Sequence, residues 1–185
     1  MRRSSLTVRL SLAAAGLIAL SLAATGVLLV LMFRDHIERR FDGGLEDQLE
    51  ELVAASETDG SGALVLTWTP VDPRFNRPGS GWYWQVVQGG EIVRRSLSLT
   101  GMALHDLGGG VREVVTRDGP AGRRLRILTR RINLPGAAAA YDFAVAGPVD
   151  DIDADVWRFS AITATALTVL GLCLIATVVI QVRFG

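Results

Sequence analysis

The chain has 185 residues, room for one domain and little else, and only 21% of them are charged. Apolar residues make up 49%, which excludes a disordered chain, and the single cysteine, Cys173, excludes an intrachain disulfide. The formal net charge is zero, but the charges are segregated, because all 19 acidic residues lie between Asp35 and Asp155. This distribution excludes a simple globule and indicates apolar ends around one polar domain.

Two apolar runs of 24 residues, residues 10–33 and 159–182, predict transmembrane helices. At a rise of 1.5 Å per residue each run reaches about 36 Å, against a hydrocarbon core of about 30 Å. A cleavable signal peptide is the alternative for the first run. Its apolar part would be only about 7–15 residues long and would end in a small-residue cleavage site. The first run is longer and has no such site near its end, so we expect it to remain as an anchor.

The distribution of arginine predicts the orientation of both spans. The tail of residues 1–9 carries three arginines and no acidic residue, and residues 183–185 carry one arginine. Under the positive-inside rule both ends are cytoplasmic. Residues 34–158, with 15 arginines and 19 acidic residues, then form an extracytoplasmic domain of net charge −4.

Residues 35–56 predict an amphipathic helix that continues the first span outward. Its apolar side chains recur at helical spacing, with charged side chains on the other face. They are Ile37, Phe41, Leu45, Leu49, Leu52 and Val53. Gly43 and Gly44 weaken the helix by about 1 kcal/mol each, and the turn at residues 58–62 ends it.

The rest of the outer domain predicts an antiparallel sheet of five or six strands. The candidate strands are residues 63–68, 82–88, 92–95, 111–117, 123–134 and 141–146. Glycine-containing turns at residues 88–91 and 118–120 predict two hairpins, and residues 149–158 predict a short helix that runs directly into the second span. The predicted fold class is α+β: two transmembrane helices flank an extracytoplasmic domain with a central antiparallel sheet. Both connections to the spans are helical, so we expect them to transmit movement as rigid rods.

Five stretches of the sequence resemble the input half of bacterial sensor histidine kinases that carry a small PAS-like (PDC) periplasmic domain. They are FRDHIERRFD at 33–42, VDPRFNRPGSGWYWQV at 71–86, VRRSLSL at 93–99, AVAGPVDDID at 144–153 and QVRFG at 181–185. The resemblance implies a PAS/PDC-like fold, an inner-membrane homodimer surrounded by lipid, and a sensor domain in the periplasm. It also implies that residues 183–185 begin a HAMP linker, followed by a kinase that acts on a cytoplasmic response regulator.

The sequence departs from that family in one respect. No phosphoacceptor histidine motif, Asn-box or glycine-rich ATP lid occurs in these 185 residues. We expect a fragment of a longer kinase, with ATP bound only by the missing part. The alternative is a kinase-less two-span protein that presents a periplasmic binding module to an envelope partner. An envelope enzyme is a third interpretation, but no nucleophile–base–acid set supports it, and no nucleic-acid partner is expected.

Five residues are candidate contacts for an unknown periplasmic ligand: Arg74, Arg77, Trp82, Trp84 and His105. The two tryptophans share one face of a strand, where they either line a pocket or pack in the core. The two arginines belong to a proline-containing loop at residues 72–80, which is either a pocket rim or a fixed turn. The histidine precedes Asp106, and the pair either binds a ligand or lies in a solvated loop.

Four carboxylates near the second span form a candidate site for a divalent cation: Asp150, Asp151, Asp153 and Asp155. Calcium and magnesium prefer carboxylate oxygens. The alternative is a set of negative charges that stabilise the start of a helix through its macrodipole. Apart from this possible cation, no cofactor is expected in the segment.

The apolar stripe of the outer helix needs a partner. The stripe residues Phe41, Leu45, Leu49 and Leu52 pack either on their own sheet or on the same helix of a second protomer. The second alternative would make this helix the seam of the homodimer.

Overall fold

A computed structural model describes residues 3–68, 72–104 and 111–184. The chain divides into two compact units. The terminal unit comprises Met1–Ile37 and Asp153–Gly185, and the outer unit comprises Glu38–Ile152.

The described residues form two long helices and seven strands. In chain order they are α1 (Arg3–Ala54), β1 (Ser56–Thr58), β2 (Leu64–Leu66), β3 (Tyr83–Gln88), β4 (Glu91–Arg95), β5 (Arg112–Asp118), β6 (Arg124–Ile132), β7 (Tyr141–Pro148) and α2 (Asp150–Phe184). Short 3-10 helices lie at Pro73–Asn76, Leu97–Leu99 and Pro120–Gly122. The predicted α+β composition, with two long apolar helices and an antiparallel sheet, is confirmed.

Two helical segments pack on each other in the terminal unit. The rings of Phe33 and Phe159 stack with their centroids 3.9 Å apart. A Cβ atom at Gly26 would lie 2.9 Å from Leu167, and one at Gly171 would lie 3.1 Å from Leu22. The two glycines therefore provide the space into which leucines of the facing helix pack. Both helices are long and apolar enough to cross a membrane, and their most apolar stretches are not buried.

The predicted outer helix is confirmed as the continuation of α1, which runs without a break to Ala54. Gly43 and Gly44 do not interrupt it. The prediction extended this helix two residues too far, because Ser56 begins β1 and pairs with Leu66 of β2. A strand of only three residues directly after a helix leaves no periodic signal in the sequence, so β1 was not predicted.

The main sheet has the strand order β4-β3-β7-β6-β5, and all its neighbours are antiparallel. The two predicted hairpins, β3–β4 and β5–β6, are present. The last strand, β7, inserts between them and becomes the centre of the sheet. Only Val149 separates the end of β7 from the start of α2.

Each face of this sheet carries its own apolar cluster. The α1 face packs Leu45 and Leu49 of the helix against a cluster that includes Trp84, Leu128 and Phe143. The opposite face packs a second cluster that includes Tyr83, Leu99, Leu104, Leu125 and Ile127. The segment from Leu97 to Leu104 covers part of this second face, where a helix covers the first.

The fully buried Leu49 tests the packing of α1 on the sheet. We expect Leu49→Ala to lower the free energy of unfolding by about 2–5 kcal/mol, because it leaves a cavity between helix and sheet. Denaturant titration of the full chain in detergent micelles measures this value. The control is Leu97→Ala, whose side chain is 65% exposed and should change the value by less than about 0.5 kcal/mol. Equal losses in both variants would contradict this packing.

Candidate functional site

Four residues meet at the start of β3, and we call them the Trp82 cluster: Phe41, Arg74, Trp82 and Gly147. The ring centroids of Phe41 and Trp82 lie 5.4 Å apart. The guanidinium carbon of Arg74 lies 3.8 Å from the centroid of the Trp82 ring, which is the geometry of a cation–π contact. Two of the predicted ligand contacts, Arg74 and Trp82, are therefore brought together.

Arg74 is held over the indole by Asp72. The Nε atom of Arg74 donates to the two carboxylate oxygens of Asp72 at 3.0 and 2.9 Å. Asp72 also accepts from the backbone N–H of Arg74 at 2.9 Å and from Nε2 of Gln48 on α1 at 3.2 Å. The hydrogen bond from the Arg74 side chain lowers the pKa of the Asp72 carboxyl below its usual value. The loop at residues 72–80 is therefore a fixed turn that joins α1 to Trp82.

Gly147 of β7 is the backbone position against which Phe41 and Trp82 of this cluster pack. A Cβ atom at this position would lie 2.7 Å from Cζ of Phe41 and 2.9 Å from Cζ3 of Trp82. Both distances are shorter than real carbon contacts, so a side chain here would displace one of the rings. Phe41 of α1 thus rests directly on the backbone of β7, three residues before α2 begins.

The other predicted ligand contacts do not join this cluster. Trp84 is 5% exposed and belongs to the apolar core of the α1 face, so the core alternative holds for it. The Arg77 side chain is exposed, while its backbone hydrogen-bonds to Arg74 and Ser80 within the turn. His105 lies outside the described residues.

The four carboxylates of the predicted cation site, Asp150, Asp151, Asp153 and Asp155, are all exposed on the first turns of α2. Asp155 lies 3.8 Å from Arg158. Their spacing distributes them around the helix, and within the described part of the chain no group of three or more metal-binding side chains converges. The cation site stays a prediction.

The apolar stripe packs on its own sheet. Leu45, Leu49 and Leu52 are fully buried, and Phe41 is partly buried against the same cluster. Of the two predicted alternatives for the stripe, the structure therefore has the one in which it packs on its own sheet, because the three fully buried leucines have no surface left for a second protomer. The homodimer itself stays a prediction.

A row of ion pairs, which was not predicted from the sequence, flanks the stripe. Its acidic members on α1 are Asp42, Glu46 and Glu50, and its basic members are Arg126, Arg112 and Arg130. The carboxylate of Asp42 accepts two hydrogen bonds from the half-buried Arg126, and this pairing raises the pKa of the arginine. The other two pairs, at 2.9 and 3.7 Å, are more exposed. The acidic residues recur every four positions, and this spacing could have indicated a charged row beside the apolar stripe.

The second sheet face carries a small cavity. Its volume is about 300 Å³, and its lining includes Met102, Leu104, Pro120 and Ile127. The side-chain amide of the buried Gln85 holds the covering segment, donating to the carbonyl of Leu104 at 3.3 Å and accepting from its N–H at 3.0 Å. No role was predicted for this glutamine, although a glutamine among apolar strand residues is a recognisable signal.

Comparisons with protein-family models, with curated proteins and with solved structures found no match to this chain. Its function therefore has to be inferred from its own residues and geometry.

The lowered pKa of Asp72 predicts how stability depends on pH. Because the folded pKa lies below the unfolded value of about 3.9, the contribution of the pair is complete above that value. It is lost as the pH falls through the folded pKa. We expect Asp72→Asn to lower the melting temperature at pH 7, and the difference from the unmodified chain to shrink below about pH 4. The matched control, Asp47→Asn on the exposed face of α1, should show no such trend.

Proposed function

We propose that this chain is the sensing and transmembrane-signalling part of a sensor histidine kinase in the bacterial inner membrane. The two long apolar helices are its spans, and residues 34–158 are a PAS/PDC-like domain on the periplasmic side. The kinase domain that it would control, and the separate response regulator on which that kinase acts, are on the cytoplasmic side. The resemblance described for the sequence supports this assignment, and so do three features of the fold.

The first feature is the continuity of the helices. α1 is one helix from Arg3 to Ala54, and α2 is one helix from Asp150 to Phe184. Each therefore extends from an apolar segment into the outer unit without a flexible linker. A passive tether requires only a flexible linker, whereas a receptor requires connections that carry a displacement.

The second feature is the Trp82 cluster, and it is the observation that carries the proposal. In it, α1 and the strand that leads into α2 touch through Phe41 and Gly147. Trp82 contacts the same two positions and is covered by Arg74. A change at the Asp72–Arg74 pair would therefore act on both chain segments that connect the outer unit to the spans. A signal enters such a system by favouring one of two arrangements.

The third feature is the presence of two surfaces for a signal. One is the exposed turn that carries Arg74, which is suited to an anionic or hydrogen-bonding ligand because its guanidinium is partly accessible. The other is the cavity under the segment held by Gln85. The turn contacts Trp82 at the start of β3, and the cavity is lined by Ile127 of β6. Both strands pair with β7, so binding at either surface can reach α2.

Reporter fusions test the membrane topology. Alkaline phosphatase, which is active only outside the cytoplasm, should be active when fused at Gly60 and inactive at Gly185. Green fluorescent protein should give the opposite pattern, and exchanging the two reporters at each site is the internal control. The physical reason is the positive-inside rule acting on the three arginines of the N-terminal tail. The same reporter active at both sites would contradict two spans.

A kinase chimera tests the coupling through Gly147. Residues 1–185 are joined to the HAMP linker and kinase of a characterised sensor, and autophosphorylation is measured in membranes. We expect Gly147→Ala to change the basal rate at least about threefold, because the added methyl group displaces Phe41 or Trp82. The matched control is Gly60→Ala, where the added atom meets nothing within 4 Å and the rate should not change. Equal rates in both chimeras would contradict coupling at this position.

A further inference from the structure

The cavity on the second face of the sheet has the size of a site for a small molecule. Its volume is about 300 Å³, at the lower end of the range for ligand pockets. An apolar cavity of half this volume holds one benzene molecule, so this one accommodates about 8–12 non-hydrogen atoms. Its apolar lining comes from the covering segment, the β5–β6 turn and β6: Met102, Ala103, Leu104, Gly119, Pro120 and Ile127.

One buried polar atom on this face has no hydrogen-bond partner among the described residues, and it is the hydroxyl oxygen of Tyr83. The side chain is fully buried. Buried tyrosine hydroxyls normally make a hydrogen bond, and one without a partner destabilises the fold. The other buried polar side chains that the strands place on this face, Gln85 and Thr129, both make hydrogen bonds. Tyr83 is therefore an exception that requires an explanation.

The register of the sheet places Tyr83 in one row with a residue that lines the cavity. Tyr83 of β3 lies opposite Ala146 of β7, and Ala146 lies opposite Ile127 of β6. Paired residues of neighbouring strands place their side chains on the same face. Because Ala146 has only a methyl group, it leaves the ring of Tyr83 room to extend over β7 toward Ile127. The packing agrees, since Tyr83 belongs to one buried cluster with Leu104 and Ile127.

The charge of the lining disfavours anionic ligands. Asp118, at the end of β5, is the ionisable side chain among the described lining residues, and none of these residues is basic. A carboxylate or phosphate in the cavity would lose its hydration without gaining a positively charged partner. The turn that carries Arg74 has the opposite character. The two surfaces therefore favour different classes of molecule.

We propose that this cavity binds a small, uncharged, mostly apolar molecule with one oxygen acceptor, to which the hydroxyl of Tyr83 donates a hydrogen bond. This inference rests on the proposed receptor function, because it names the chemical class of the signal for one of the two surfaces. The apolar body of the ligand packs against Met102, Leu104 and Ile127. The acceptor supplies the hydrogen bond that the described part of the fold leaves unmade. Small aromatic ketones and esters belong to this class.

Tyr83 also connects the cavity to the Trp82 cluster. The two residues are neighbours in the chain, and successive side chains of a strand point to opposite faces. Trp82 packs with the apolar cluster on the α1 face, and Tyr83 packs with the cluster on the second face. A ligand that shifts Tyr83 therefore acts on the contacts of Trp82 through a single peptide unit.

Methionine methyl groups report binding to the full chain in lipid nanodiscs. The sequence has three methionines, and only Met102 belongs to the outer domain. In nuclear magnetic resonance spectra of the chain with isotope-labelled methionine methyl groups, Met102 reports on the cavity that it lines. Met32 lies in the first apolar run. Because neutral probes also partition into lipid, the signal of Met32 is the internal control for that effect.

Three probes with the same number of non-hydrogen atoms separate the requirements of the site. Acetophenone has an apolar ring and an oxygen acceptor, isopropylbenzene has apolar carbon in place of the carbonyl, and benzoate carries a negative charge. We expect acetophenone to shift the Met102 signal saturably, while Met32 shows only the gradual change caused by partitioning. Benzoate should give no saturable shift at Met102, because the lining offers its charge no partner.

Two variants locate the binding. Tyr83→Phe removes only the hydroxyl, so we expect the affinity for acetophenone to fall about tenfold and that for isopropylbenzene not to fall. The variant should keep its melting temperature, because the hydroxyl has no hydrogen bond to lose among the described residues. Ala103→Phe fills the cavity and should abolish saturable binding of both neutral probes. The matched control is Ala138→Phe, at an exposed position in the loop before β7, and it should bind like the unmodified chain.

Three results would each overturn the proposal: a Met102 shift with acetophenone that only parallels that of Met32, an unchanged affinity for acetophenone in Tyr83→Phe, or saturable binding of benzoate. The measurement uses no signalling output. Its failure therefore leaves the topology and chimera results unaffected. Equal rates in the two chimeras would in turn contradict the proposed coupling and leave the binding of the probes unaffected.

Discussion

The packing of α1 on the centre of the sheet is the contact on which the rest of the outer unit depends. Leu45 and Leu49 are fully buried against the strands on either side of β7 and against β7 itself. This contact determines the rotation of α1 about its axis, and the rotation determines what the neighbouring faces meet. It places Phe41 on Trp82 on one side and turns Asp42, Glu46 and Glu50 toward β5 and β6 on the other. Both features of the candidate site follow from one ridge of leucines.

The leucines and the ion-paired acidic residues of α1 contribute differently to the stability of the outer unit. Full burial of a leucine stabilises a fold by about 1.5–3 kcal/mol, whereas an exposed ion pair contributes at most about 1 kcal/mol. The leucines therefore contribute most of the free energy that holds α1 on the sheet. The ion pairs contribute less, and they join the flank of α1 to strands β5 and β6. The half-buried pair of Asp42 and Arg126 has the largest influence, because less solvent screens it.

Local patterns in the sequence predicted the elements that depend on neighbouring residues, namely the helices and the hairpins. Helical periodicity gave the outer part of α1, and alternation with glycine turns gave both hairpins. The position of β7 between them was not predictable, since strand order depends on contacts between residues far apart in the chain. The same limit applied to the apolar stripe, where periodicity showed that a partner exists but did not choose between the sheet and a second protomer. Trp82 and Trp84 share a strand face and belong to the same apolar surroundings, yet Trp82 is partly exposed and meets Arg74 while Trp84 is buried, and the alternation of the strand does not distinguish the two.

The absence of a side chain at Gly147 brings Phe41 into direct contact with the backbone of β7. A long side chain between Phe41 and β7 could absorb a movement of α1 by changing its rotamer. With glycine the ring of Phe41 meets the backbone of β7 directly, and the backbone cannot yield without moving its hydrogen-bonded neighbours in β3 and β6. The connection to α2 that follows, through Pro148 and Val149, is short and buried. Under the proposed receptor function, a displacement of α1 at this point would reach the start of α2 through contacts with the backbone of β7.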